Sequence, residues 1–147
     1  MEQEYRTPFV DSTKEMLSTM VGASCEMKVS ARPPIDNTIS GTVSFVGENN
    51  GQITLSFPID TARKVVSEML GMEEAEMDEE TLRDGVGEMA NIVAGNVKAA
   101  LSHTRFKLML SLPKIQFGPE EVPPGVDPSH DHLCCEFGDF FLTYWLN

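Results

Sequence analysis

The chain has 147 residues, 41% apolar and 23% charged, which suits one folded domain burying roughly two-thirds of its unfolded surface. Eleven basic against 23 acidic side chains leave a net charge of −12 and no basic stripe to neutralise phosphates, so nucleic acid and anionic membrane are excluded as partners. No apolar run approaches the ~18 residues of a membrane span, and the first thirty residues hold no signal-type apolar segment, so a cytoplasmic protein is expected.

The first predicted helix starts at Thr7-Pro8, a cap residue followed by proline at the first helical position, and Gly22 ends it. Phe9, Thr13, Met16, Leu17, Met20 and Val21 form its apolar stripe. Residues 26–31 read as a strand stopped by Pro33-Pro34. A hairpin follows, TISGTVSFV (38–46) and QITLSF (52–57), with the turn GENNG between them. Ile53, Leu55 and Phe57 alternate with polar neighbours, as one buried sheet face requires. Asp60 is placed to cap a short helix closed by Gly71.

Residues 73–80, EEAEMDEE, read as a solvated linker leading into a helix N-terminus, where carboxylates are favoured. Asp78 opens the longest helix, which reaches about His103. Residues 107–117 are extended, with Pro113 marking an edge or a break, and 118–131 form a proline-rich loop. HLCCEF (132–137), a Gly138-Asp139 turn and FFLTYWL (140–146) make a second hairpin. Helix, strands, helices, strands in that order predict an α+β fold with a mainly antiparallel sheet.

The order of elements repeats itself, and so does the sequence. Residues 11–22 (DSTKEMLSTMVG) align with 84–95 (DGVGEMANIVAG), matching Asp11 with Asp84, Glu15 with Glu88, Met16 with Met89 and Gly22 with Gly95. Ser18 then stands where Asn91 stands, and a serine hydroxyl reaches less far than an amide. The first helix thus lacks the amide and reads as a packing relic of a duplicated unit.

Cys25, Cys134 and Cys135, an odd count with two adjacent, do not form a disulfide framework and fit a reducing compartment. His130, His132 and Cys134 alternate on one strand face, but no CxxC or HxxxH spacing accompanies them, and they read as a loop-to-strand junction. There is no GxSxG, no Walker-type loop and no Cys–His pairing for nucleophilic chemistry.

The long helix is the unusual element. At ~100° per residue, Leu82, Val86, Met89, Val93, Val97 and Ala100 fall within about 60° of one direction, the face to be buried. Asp84, Glu88, Asn91, Gly95 and Ser102 fall on the opposite face. A face built only for solubility would carry Glu–Lys pairs. Instead Gly85, Gly87 and Gly95 each cost about 1 kcal/mol relative to alanine, and asparagine is also a poor interior helix residue. Glycine allows another surface to approach a helix backbone closely.

Asp84-xxx-Glu88-xx-Asn91, with Gly95 and Leu101 on the same helix, resembles the signature of the CheC/CheX/FliY phosphatases, which act in bacterial chemotaxis on phosphorylated response regulators. The likeness is greatest to the CheX branch, with one ExxN helix and no flagellar-switch extension, and it spans nearly the whole chain in element order. The resemblance implies a single CheX-like domain over residues 1–147, with a CheC-like α+β fold. Its mainly antiparallel sheet would carry helices on one side, in pseudo-duplicated helix-plus-strand units.

It further implies hydrolysis of the aspartyl phosphate of a CheY-like response regulator. Asn91 would hold the water in line with phosphorus, and Glu88 would pair with a lysine beside the phosphoryl group. Asp84, Gly87 and Gly95 would belong to the partner-binding surface. No cofactor or metal is expected on this chain, and Mg2+ would be held by the regulator. CheX-like proteins are typically homodimers, and edge strands offer a route to pairing. The competing reading is an adaptor of the same fold that docks a receiver domain without hydrolysis. Such a module shares Glu88 but has no use for Asn91.

Overall fold

The computed structural model describes residues 3–28, 37–118 and 121–147. The elements in chain order are α1 (Gln3–Val21), β1 (Glu26–Lys28), β2 (Thr38–Val46), β3 (Gly51–Pro58), α2 (Ile59–Leu70), α3 (Glu79–Ala100), β4 (Met109–Leu110), β5 (Lys114–Phe117), β6 (Ser129–Cys135) and β7 (Gly138–Leu146). A short 3-10 turn, Glu74–Glu76, lies between α2 and α3. The fold is α+β with an antiparallel sheet, as the element order predicts.

The sheet runs β1-β6-β7-β3-β2-β4, with β5 also paired to β2. Two hairpins, β2–β3 and β6–β7, join at the β3–β7 pair, where Thr54 faces Thr143 and Leu55 faces Leu142. The strand after α1 flanks the second hairpin, and the strands after α3 flank the first. Exchanging the two halves of the chain therefore returns the same order read backwards. The duplication read from residues 11–22 and 84–95 is present in the topology.

Period-two alternation divides the sheet faces. Ile39, Val43, Phe45, Ile53, Leu55, Phe57, Leu142 and Tyr144 enter one hydrophobic cluster with the helices. On the other face hydroxyls pair across strands, Ser40 with Ser56 at 2.9 Å and Thr42 with Thr54 at 2.8 Å. Gly41 lets α3 lie close on β2: a Cβ there would meet Val86 Cγ1 at 3.1 Å and Ala90 Cβ at 3.2 Å. From α3, Met89, Val93 and Val97 are fully buried, each such side chain stabilising the fold by roughly 1.5–3 kcal/mol.

The structure corrects several expected boundaries. α1 begins at Gln3 rather than at Thr7, with Pro8 inside the helix. The extra turn is secured by Tyr5, edge-on to Phe9, Phe106 and Tyr144 with centroids 5.5–6.1 Å apart, and by Arg6, which donates to the buried Asp131 at 2.8 Å. Asp131 also accepts from Tyr144 Oη at 2.7 Å. Those contacts offset the backbone bond that proline removes.

Asp60 does not cap α2. Pro58 precedes the helix without a side-chain cap, and the Ile59 N–H donates to Asn37 O at 2.8 Å. Gly71 does close it, at φ +64°. α3 stops at Ala100, which is exposed, with the buried Leu101 as its cap. The second hairpin turns at Glu136-Phe137, two residues before the expected position. Gly138 is the first residue of β7, at φ +135° and pressed against Thr61 of α2, where a Cβ has no room. β6 begins at Ser129, within the expected loop, and the predicted strand end at 29–31 and the Pro33-Pro34 stop lie outside the described residues.

Candidate functional site

α3 carries the candidate residues, and its start is fixed locally. Asp78 caps it, the carboxylate accepting from the Thr81 N–H at 2.8 Å; that bond holds the Asp78 pKa below the usual 3.8. Arg63 of α2 ties the linker down by donating to the carbonyls of Glu74 and Met77. The helix is thus positioned at both its N-terminus and its buried face.

Asp84, Glu88 and Asn91 are exposed. Among the described residues their side chains enter no hydrogen bond and no ion pair, so a free carboxylate and a free amide stand one turn apart. The spacing 84, 88, 91, 95, 98 alternates four and three residues, so Lys98 extends the same stripe toward the helix C-terminus, and Ser102 follows in the turn beyond it. Ser102 belongs to the face expected from the helical wheel, and continuing the same count adds Lys98.

The three glycines of α3 do different work. A Cβ on Gly95 would meet nothing within 4 Å, so the helix backbone there is open to an incoming surface. Gly87 is buried, and a Cβ would meet Ile115 Cδ1 at 3.3 Å and Pro113 Cγ at 3.6 Å. The structure therefore moves Gly87 from the expected partner surface to the α3–β5 contact, where Arg83 also donates to Ile115 O at 3.1 Å. Gly85 abuts Val66 of α2, with Cγ1 at 2.6 Å from the position of a Cβ. Helical periodicity shows which way a residue points but not how near the next element lies.

On α1, Asp11, Glu15 and Ser18 are exposed, as their counterparts Asp84, Glu88 and Asn91 are, while Phe9, Met16 and Leu17 are buried like Leu82, Met89 and Ala90. The histidine–cysteine strand lies elsewhere. His130 Nδ1 shares a hydrogen bond with Thr143 Oγ1 at 3.0 Å. His132 lies tilted against the Phe141 ring with centroids 4.6 Å apart, its Nε2 3.1 Å from Asp139 Oδ2 but off the line a hydrogen bond needs.

Chemically, the exposed stripe offers a carboxylate able to pair with a cation, and an amide able to donate and accept at one water. Neither group is used internally.

A sequence model of the family described as chemotaxis phosphatase CheX matches residues 39–123, more than half of the chain. A protein of Thermotoga maritima named CheY-P phosphatase CheX is 32% identical over 85 residues, which are 57% of this chain and 54% of that protein. The chain thus matches about half the length of this curated relative. The crystal structure of chemotaxis protein CheX from Vibrio vulnificus shares the fold, with a TM-score of 0.82 at 23% identity over 98% of this chain and 97% of that one. So does CheX from Borrelia burgdorferi in a CheX-CheY-BeF3-Mg2+ complex, with a TM-score of 0.74 at 19% identity over 97% of both chains.

Proposed function

The chain belongs to the chemotaxis phosphatase CheX family, and from that premise we propose that it hydrolyses the aspartyl phosphate of a CheY-like response regulator. The observation that carries this reading is the free Glu88–Asn91 pair on the solvent stripe of α3. An acyl phosphate is already activated, and its transfer passes through a loose transition state, so positioning and electrostatics are the main requirements.

Asn91 holds a water in line with phosphorus. The water oxygen bonds to phosphorus, the bond from phosphorus to the aspartyl oxygen breaks, and the regulator recovers its carboxylate as inorganic phosphate leaves with the surplus proton. Glu88 pairs with a lysine beside the phosphoryl group and fixes the register of docking. Asp84 flanks Glu88 on the same stripe, and Gly95 lets the regulator approach the helix. The Mg2+ that neutralises the phosphoryl group belongs to the regulator. The chain works as a cytoplasmic homodimer carrying one such helix per subunit.

The test is phosphate release from a phosphorylated CheY-type regulator in Mg2+, with binding measured alongside. Glu88→Lys loses binding and stimulated hydrolysis together. An adaptor would leave the regulator's spontaneous decay unchanged, and unaltered affinity of Glu88→Lys removes Glu88 from recognition.

A further inference from the structure

The stripe on α3 runs directly into a concave cavity of about 460 Å³. Lys98, in the last turn of α3, and Ser102, just past its end, form one wall, and Phe106, Leu108 and Met109 supply an apolar floor. Gly47 of the β2–β3 turn makes the lip, at φ +108° and with room for a Cβ only 3.7 Å from Met109. The walls are held in place: Asn49 Oδ1 accepts from the Lys107 N–H at 2.7 Å, and the Asn49 N–H donates back to Lys107 O at 3.4 Å. Met109 is 62% exposed although it lines an apolar site.

Charge adds a second observation. On a chain of net charge −12, Lys98 and Lys107 both line this cavity, together with one carboxylate, Glu48. Neither lysine ammonium has an ion-pair partner among the described residues. Elsewhere the stripe is acidic, at Asp84 and Glu88. A partner lying along α3 therefore meets negative charge at one end and positive charge around an apolar hollow at the other.

Resting on the reading of α3 as the regulator-docking helix, we infer that this cavity is the regulator's second point of contact. An apolar side chain of the receiver domain seats against Phe106, Leu108 and Met109, and a neighbouring carboxylate of that domain meets Lys98 or Lys107. The distances allow one partner to make both contacts. Lys98 is seven residues from Asn91, about 10 Å along the helix, and a standard interface covers roughly 800 Å² per partner. A pocket filled by one anchor side chain is also where binding energy concentrates.

The experiment measures the affinity and turnover of a CheY-type receiver domain, activated with beryllofluoride and Mg2+ for binding and phosphorylated for rate. Met109→Glu, at a position 62% exposed, weakens binding roughly tenfold, raising KM while kcat at saturating regulator stays unchanged. Lys98→Glu weakens it less, and the loss shrinks as salt rises. If Glu88→Lys abolishes binding while Met109→Glu and Lys98→Glu bind like wild type, the cavity assignment fails and the docking helix stands. If Glu88→Lys also binds normally, the reading beneath it fails. A changed sedimentation coefficient of the Met109→Glu protein alone places a second copy of the chain in the cavity and overturns the inference.

Discussion

The three glycines of α3 sit in different surroundings, and their alanine variants give a graded test. At Gly95 a Cβ meets nothing within 4 Å. Gly95→Ala therefore recovers helix propensity without a packing cost, stabilising the protein by about 0.5–1 kcal/mol. At Gly87 a Cβ stands 3.3 Å from the flexible end of Ile115, and the propensity gain is offset by a small displacement, leaving stability within about 0.5 kcal/mol of wild type. At Gly85 the Cβ position is only 2.6 Å from Val66 Cγ1 of a fully buried valine, so overpacking dominates and costs roughly 1–3 kcal/mol.

Urea denaturation with linear extrapolation gives all three values. The order Gly95→Ala above Gly87→Ala above Gly85→Ala is expected. Docking follows a different order, because a larger side chain at the open position blocks an approaching surface. Gly95→Leu keeps its stability and loses affinity for the activated regulator. Destabilisation by Gly95→Ala, or full regulator affinity in Gly95→Leu, refutes the assignment of Gly95 to an approach surface.

Two further outcomes follow from α1 and from the half-buried Cys25 thiol. Ser18→Ala leaves the wild-type dephosphorylation rate unchanged, since only α3 carries the amide; a lower rate in a fully folded variant shows that α1 takes part. Burial first, then the neighbouring Cys135 thiol, pushes Cys25 up to about 12. The unfolded chain releases this proton from about pH 9 while the folded chain holds it to about 12, so stability falls as pH rises through that window. Denaturation of wild type against Cys25→Ser across pH 8 to 11 measures the difference, and parallel curves contradict it.

Most of the architecture was readable because local rules and tertiary packing agree. The β2–β3 hairpin, the Asp78 cap and the stripe of Leu82, Val86, Met89, Val93 and Val97 each follow from spacing alone. The α1–α3 repeat was legible because matching residues have matching exposure. Failures lie where a distant contact decides. The early start of α1 depends on Tyr5 meeting Phe106 and Tyr144, more than a hundred residues away. The register of the last turn depends on Gly138 fitting against Thr61. At the site, periodicity brought Asp84, Glu88, Asn91 and Gly95 to one face but could not show that Gly87 is occupied from within by Ile115. Nor could it show the cavity beyond Lys98, whose walls come from three separate segments.

The central claim is that Asn91 positions the attacking water while Glu88 holds the regulator. Single-turnover decay of a phosphorylated CheY-type regulator with saturating Asn91→Ala protein, beside its affinity for the beryllofluoride form, tests this most directly. The exposed amide makes no hydrogen bond among the described residues, so folding is retained, and affinity stays within a few-fold of wild type. Decay at the regulator's own spontaneous rate is expected, and stimulated decay at the wild-type rate would show that Asn91 does not position the water.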